Sequence, residues 1–173
     1  MNAYCLQCKT GAERQIMQWI NKSFNLDELG AIAPVKSMQE KRNHVWVDVQ
    51  KPLLTGYVFV YCQYEDHTFV VEPDLQIHRN VYKWIEYGEG EHQLKGRDAE
   101  YAEWIYRNHG IIGSSDILVV GNIFQVASGP IQGCAGKIIR IDRHKRKATI
   151  EIDFDGTKRW MTLSVNLLDP IYD

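Results

Sequence analysis

Apolar and polar positions alternate along most of this chain, and helical spacing is confined to a few stretches. Tyr4-Cys5-Leu6-Gln7-Cys8 reads as a short apolar strand. Thr10-Gly11-Ala12-Glu13 has capping-box spacing, in which a hydroxyl and a carboxylate satisfy free N–H groups at a helix start. Ala12, Ile16, Trp19 and Ile20 then recur at i, i+4, i+7 and i+8, one face of that helix. From Ile32 to Gln50 the period drops to two. His44 to Val49 alternates cleanly, and Ser37 to Asn43 reads as a polar turn ahead of it. Leu53 to Tyr61 is almost continuously apolar, the mark of a central strand with both faces covered or with one face offered to a partner. Pro73 ahead of Leu75, Ile77, Val81, Trp84 and Ile85 predicts a helix within 74–87 that breaks partway. A second full helix is expected over Asp98 to Asn108, where Tyr101, Trp104 and Ile105 share a face, Asp98 caps the start and Gly110 the end.

Beyond this the character changes. Residues 109–116 hold two glycines and two serines with little periodicity and read as a linker. Strands are expected at Asn122–Ala127, Lys137–Asp142, Ala148–Phe154 and Thr157–Leu163. Asp155-Gly156 between the last two is a tight hairpin signal, because glycine accepts positive φ freely. Strands this short bury a core by curling into a small barrel. The predicted fold class is α+β: an N-terminal antiparallel sheet with flanking helices over 1–108, the linker, and a small SH3-like β-barrel over 117–173.

Composition narrows the function. With 173 residues and 45% hydrophobic types, the chain can pack a core. No apolar run approaches the roughly 20 residues a membrane helix needs, and the N-terminus lacks a signal-peptide core, so a cytoplasmic protein with no membrane partner is expected. Net charge is −2, yet residues 136–147 carry Lys137, Arg140, Arg143, Lys145, Arg146 and Lys147 against Asp142 alone, a local balance of +5. Such a patch contacts phosphate even on an acidic molecule. Cys5 and Cys8 have metal-knuckle spacing, but i and i+3 in a strand face opposite ways, and Cys62 and Cys134 are isolated, so no metal site is expected. The six histidines are scattered, and no nucleophile-elbow, phosphate-loop or dinucleotide motif occurs. Neither catalysis nor a cofactor is expected.

With these elements in order, the chain resembles the NusG family of transcription elongation factors along nearly its whole length. The resemblance rests on Tyr4 to Gly11 followed by an amphipathic helix, on Pro52-Leu53-Leu54-Thr55-Gly56-Tyr57-Val58-Phe59-Val60, and on the KOW-like run from Gly121-Asn122-Ile123-Phe124-Gln125-Val126 through Gly129-Pro130, Gly133 and Gly136-Lys137-Ile138-Ile139. Thr55 stands where proline is usual in the family, and the 143–147 turn is unusually basic. Both features make the chain more similar to specialised antitermination paralogues such as LoaP than to housekeeping members.

The resemblance implies a monomer whose N-terminal domain binds the clamp helices of RNA polymerase and whose KOW barrel contacts a second partner, such as a ribosomal protein or nucleic acid. Under it, Leu54, Gly56, Tyr57, Phe59 and Tyr61 form an exposed apolar depression for the clamp. The same aromatics read as ordinary core if the resemblance is set aside. Two cationic sets are the nucleic-acid candidates: Lys36, Lys41, Arg42, His78, Arg79, Asn80 and Lys83 in the first domain, and Arg140, Arg143, His144, Lys145, Arg146 and Lys147 in the second. Arg79 and Lys83, four apart, are expected to share a helix face, while scattered surface charge is the competing reading for both sets. The implied function is processive antitermination, with recruitment by a nascent RNA hairpin favoured over non-template DNA. A housekeeping elongation factor, or a ribosome-associated KOW RNA-binding protein, remain the alternatives.

Overall fold

The computed structural model describes residues 1–25, 29–63, 79–88 and 90–169. Strand β1 (Asn2–Cys8) leads into helix α1 (Glu13–Ser23), followed by β2 (Leu29–Ile32), β3 (Val35–Arg42), β4 (Val45–Pro52) and β5 (Tyr57–Cys62). Next come β6 (Val81–Trp84), helix α2 (Gly96–Arg107) and the short β7 (Ile111–Ile112). The C-terminal part holds β8 (Ser115–Val120), β9 (Ile123–Ser128), a 3₁₀ turn at Pro130–Gly133, β10 (Lys137–Asp142), β11 (Lys147–Phe154) and β12 (Thr157–Leu168). Among the described residues the strands form a four-stranded sheet ordered β2-β5-β1-β6, a three-stranded sheet β4-β3-β7 and a five-stranded sheet β10-β11-β12-β8-β9. No described helix is long and apolar enough to cross a membrane.

Strand β5 organises the N-terminal part, and all six of its residues are buried. Alternation sends Val58, Val60 and Cys62 to one side, where Tyr4, Leu6, Ile16, Ile20 and Leu29 close a core under α1. Tyr57, Phe59 and Tyr61 go to the other side, against Cys5, Tyr101, Trp104 and Ile105, and that core continues without a break into Ala148, Ile150, Ile152 and Phe154 of β11. Of the two readings open for the 53–61 run, both faces are therefore covered.

Several local expectations change. Ser37–Asn43 is not a turn: residues up to Arg42 belong to β3, and the reversal is confined to Asn43 and His44, at φ 49° and 67°. Their polar side chains misled because this hairpin is mostly exposed on both faces. The predicted helix over 74–87 is overturned where it is described, since Val81–Trp84 pairs with β1 as β6 and buries Trp84. Residues 74–78 lie outside the described residues. The capping box is also redrawn. Ala12 is the helix cap, with no side-chain cap bond, and Glu13 accepts from the Gly11 N–H at 2.8 Å and the Gly56 N–H at 2.6 Å. Within 109–116, Ile111–Ile112 pairs in parallel with Val35–Lys36, and β8 begins at Ser115. In the C-terminal part β12 is longer than predicted, with Thr157–Ser164 antiparallel to β11 and Val165–Leu168 parallel to β8, a strand the sequence pattern did not reveal.

Candidate functional site

The aromatic side of β5 is the first candidate, and the expectation that it lies open is corrected. Tyr57, Phe59 and Tyr61 are 4%, 0% and 4% exposed, and Leu54 is half-buried. The cover comes from α2 and the C-terminal sheet. Phe154 sits 5.4 Å, centre to centre, from each of the Tyr57, Phe59 and Tyr101 rings, edge-on to Tyr57. Tyr61 Oη donates to the Ala102 carbonyl at 2.8 Å, and burial raises its phenol well above the usual range. Aromatics in this arrangement gain from their quadrupoles as well as from lost water contact.

A polar cluster rims the cover. Arg159 on β12 donates to Tyr57 Oη at 2.7 Å, with its guanidinium 5.0 Å from the centre of that ring. Tyr57 Oη in turn donates to Asp155 Oδ2 at 3.3 Å. Asp98 at the start of α2 accepts from the Asp155 N–H at 3.0 Å and from Tyr87 Oη at 2.5 Å. Arg97 pairs with Asp153, and Trp104 Nε1 donates to the Pro130 carbonyl at 2.8 Å. The Asp155-Gly156 hairpin, with φ of 53° and 64°, aims this cluster at the N-terminal part. Gly56 also acquires a different role from the one implied. It adopts φ 82°, and a Cβ there would lie 3.3 Å from the Cys8 carbonyl, so its small size serves an internal crossing rather than a partner's approach.

The cationic candidates fall into separate places. Arg79 and Asn80 form the turn before β6 and line an open polar cleft of about 590 Å³ with Lys9, Thr10, Gly11, Ala12 and Gln15 at the start of α1. Lys83 does not share their face. It lies on β6 and lines another cleft with Glu86, His92 and Asp155, so the shared helical face is corrected to a turn and a strand. His78 lies outside the described residues. Lys41 and Arg42 end β3 at the exposed hairpin, where Arg42 and Lys51 both pair with Glu40 and hold its carboxyl below the ordinary range. Lys36, lower on the same strand, is half-buried.

In the C-terminal part, Arg140 is exposed on β10, and Arg143–Arg146 form the turn to β11. Lys145 N–H donates to Asp142 Oδ1 at 2.9 Å, which lowers that carboxyl's pKa. Arg143 donates to the Gly121 carbonyl at 2.8 Å and lies 5.1 Å from the centre of the Phe124 ring. No aromatic interleaves with this turn in sequence, yet β9 supplies one in space. Lys9, Gln15, Phe124 and Arg159 were missed, and Asp98, expected to cap α2, lies inside its first turn with Lys95 at the cap position and accepts from Asp155 and Tyr87 instead. Lys9 directly precedes the helix-start motif, which marked the place but not a role for its side chain. The others are brought in by tertiary contacts with no local pattern.

No group of three or more metal-ligating side chains converges among the described residues. Cys5 and Cys8 face different cores, and burial pushes Cys8 up to about 11 and Cys5 well above the usual thiol range.

What emerges is an α+β protein with cationic edges, whose apolar central strand is covered by its own C-terminal sheet. A family model described as transcription termination factor NusG matches residues 1–101, more than half of the chain, and the chain belongs to the NusG family of transcription factors. Comparison with curated protein sequences finds no match. Among solved structures, one concerned with domain interaction in Thermotoga maritima NusG is 17% identical, covers 94% of this chain and 93% of that one, and has a TM-score of 0.53. A chain of the MjSpt4:Spt5 complex is 19% identical with 94% and 91% coverage, and its TM-score of 0.34 is too low to bear on the fold.

Proposed function

We propose that this NusG-family protein is a specialised processive antitermination factor held shut until recruitment. In the closed form the C-terminal sheet, read as a KOW barrel, covers the face that docks on the RNA polymerase clamp helices. The observation that carries this reading is the cover itself. The seam around that cover is closed by exposed or half-exposed contacts such as Arg97–Asp153 and Arg159–Tyr57. Contacts of that kind make and break readily in water. On separation, Leu54, Tyr57, Phe59 and Tyr61 become the polymerase surface. If only one molecule in a hundred is open, the apparent clamp affinity falls a hundredfold, about 2.7 kcal/mol.

Recruitment by a nucleic-acid element supplies that difference. The Lys9–Arg79 cleft is the surface suited to it, and a nascent RNA hairpin is the favoured element. A housekeeping role predicts no preference among hairpins, and a ribosomal RNA-binding role has no use for a releasable cover.

Tyr57→Ala with Phe59→Ala is a poor test, because truncating buried aromatics costs about 3–5 kcal/mol each. Asp155→Ala with Arg159→Ala removes the two rim side chains that hold Tyr57 Oη and leaves the packed aromatic rings in place. That variant of the full chain is expected to bind an isolated clamp-helix fragment at least tenfold more tightly than wild type and to suppress termination in vitro without the cognate leader. Unchanged affinity in a folded variant would refute the covered-site reading.

A further inference from the structure

We propose that Lys36 and Lys51 of the β3–β4 ladder and Lys147 of β11 form a site for the phosphate backbone of single-stranded nucleic acid, assembled only when the two parts of the chain are packed together. Lys36 and Lys51 are direct cross-strand partners, and like charges so placed repel. Lys51 has Glu40 as its counter-ion, but neither Lys36 nor Lys147 pairs with a carboxylate among the described residues. Both are half-buried. Lys147 reaches this neighbourhood because it pairs with Ser164, whose Oγ accepts the Gln39 N–H of β3 at 3.4 Å. Burial first, and then the charges of Lys51 and Lys147, hold the Lys36 ammonium below its ordinary pKa, in keeping with a crowded set of cations.

Half-buried lysines without a carboxylate partner meet at a seam here, so the closed form carries a repulsion that a bound anion removes. The occupant is a polyphosphate chain more than a single ion. Arg42 lies on the same face of β3 as Lys36, toward the hairpin, and Lys145 and Arg146 precede Lys147 in the turn. Lysine serves phosphate as a point charge and needs no planar partner. A ligand that binds only the closed form raises its population by mass action. Non-cognate nucleic acid would therefore keep the aromatic strip covered. This inference rests on the opening proposed above, and its test uses no polymerase.

Cys5 is 0% exposed and packs in the core that spans the seam, whereas Cys8 and Cys62 belong to the other core. Thiol labelling of the full chain, read peptide by peptide by mass spectrometry, thus reports opening at Cys5 and global unfolding at Cys8 and Cys62. A 12-nucleotide single-stranded RNA is expected to slow Cys5 labelling at least threefold in wild type and to leave it unchanged in Lys36→Gln with Lys147→Gln. Inorganic phosphate at the same phosphate concentration is expected to have less effect, and equal slowing would assign the site to the free anion. Slowing by sodium chloride at matched ionic strength, or undiminished slowing in the double variant, overturns the site. Measurable labelling that RNA never slows overturns the site but leaves the opening intact. A Cys5 that stays unreactive even in Asp155→Ala with Arg159→Ala removes both.

Discussion

Glu13 does more than its place in the helix start suggested. It is 7% exposed and divides its carboxylate between the Gly11 and Gly56 amides. Charged hydrogen bonds of this kind contribute about 1.5–3 kcal/mol each. Glu13→Gln keeps the volume and one acceptor oxygen but turns the other into a donor facing an N–H. It is expected to destabilise the fold by about 2–3 kcal/mol, read from the urea midpoint, and a change below 0.5 kcal/mol would contradict this account. The spacing Thr10-x-x-Glu13 announced a carboxylate at this point, but not that a residue 43 positions away would take half of it. Residue patterns report partners within one element. The Arg159–Tyr57 contact, 102 residues apart, had no signal of that kind.

At the scale of elements, legibility followed burial. Strand β11, whose strictly alternating Ala148, Ile150, Ile152 and Phe154 make one dry face, lay within one residue of its predicted bounds. The β3–β4 hairpin was misread because solvent bathes most of it and no apolar stripe marks β3. Its turn leaves a mark of another kind, two successive non-glycine residues at positive φ. That conformation costs an L-residue about 1–2 kcal/mol, and glycine forfeits about 0.5–1 kcal/mol through chain entropy. His44→Gly is therefore expected to stabilise the protein by up to about 1 kcal/mol, and a lowered unfolding midpoint would count against the turn geometry. The failed helix near residue 80 has a separate cause. The open edge of β1 offered backbone partners that local propensity does not weigh.

For the molecule as a whole, the covering of β5 was the feature that sequence left undecided. Continuous apolarity states that a strand is buried, not whether a neighbour or another chain buries it. Burial in the two cores has a consequence in alkali. Cys8 and Cys134 are pushed up to about 11 by burial, from an ordinary value of 9.0, and Cys5 and Tyr61 are raised further by the same cause. Groups whose folded pKa is raised stabilise the fold fully below their unfolded pKa and lose that contribution as pH climbs toward the folded one. Stability to urea should stay level up to about pH 8.5 and fall between about pH 9 and 11, with a shallower fall in Cys134→Ser. A profile flat through pH 11 would contradict the burial of these thiols.

The divided carboxylate of Glu13 also joins two places that look unrelated. One of its oxygens holds an amide in the wall of the Lys9–Arg79 cleft, and the other holds the amide just ahead of Tyr57. A guest that drew the Gly11 amide to itself would leave that carboxylate with one anchor. The loosened end would be the root of the very strand that the C-terminal sheet shelters, so a phosphate in the cleft and a lid that meets that strand 98 residues along the chain are linked through three hydrogen bonds, Glu13 to Gly11, Glu13 to Gly56 and Tyr57 to Asp155.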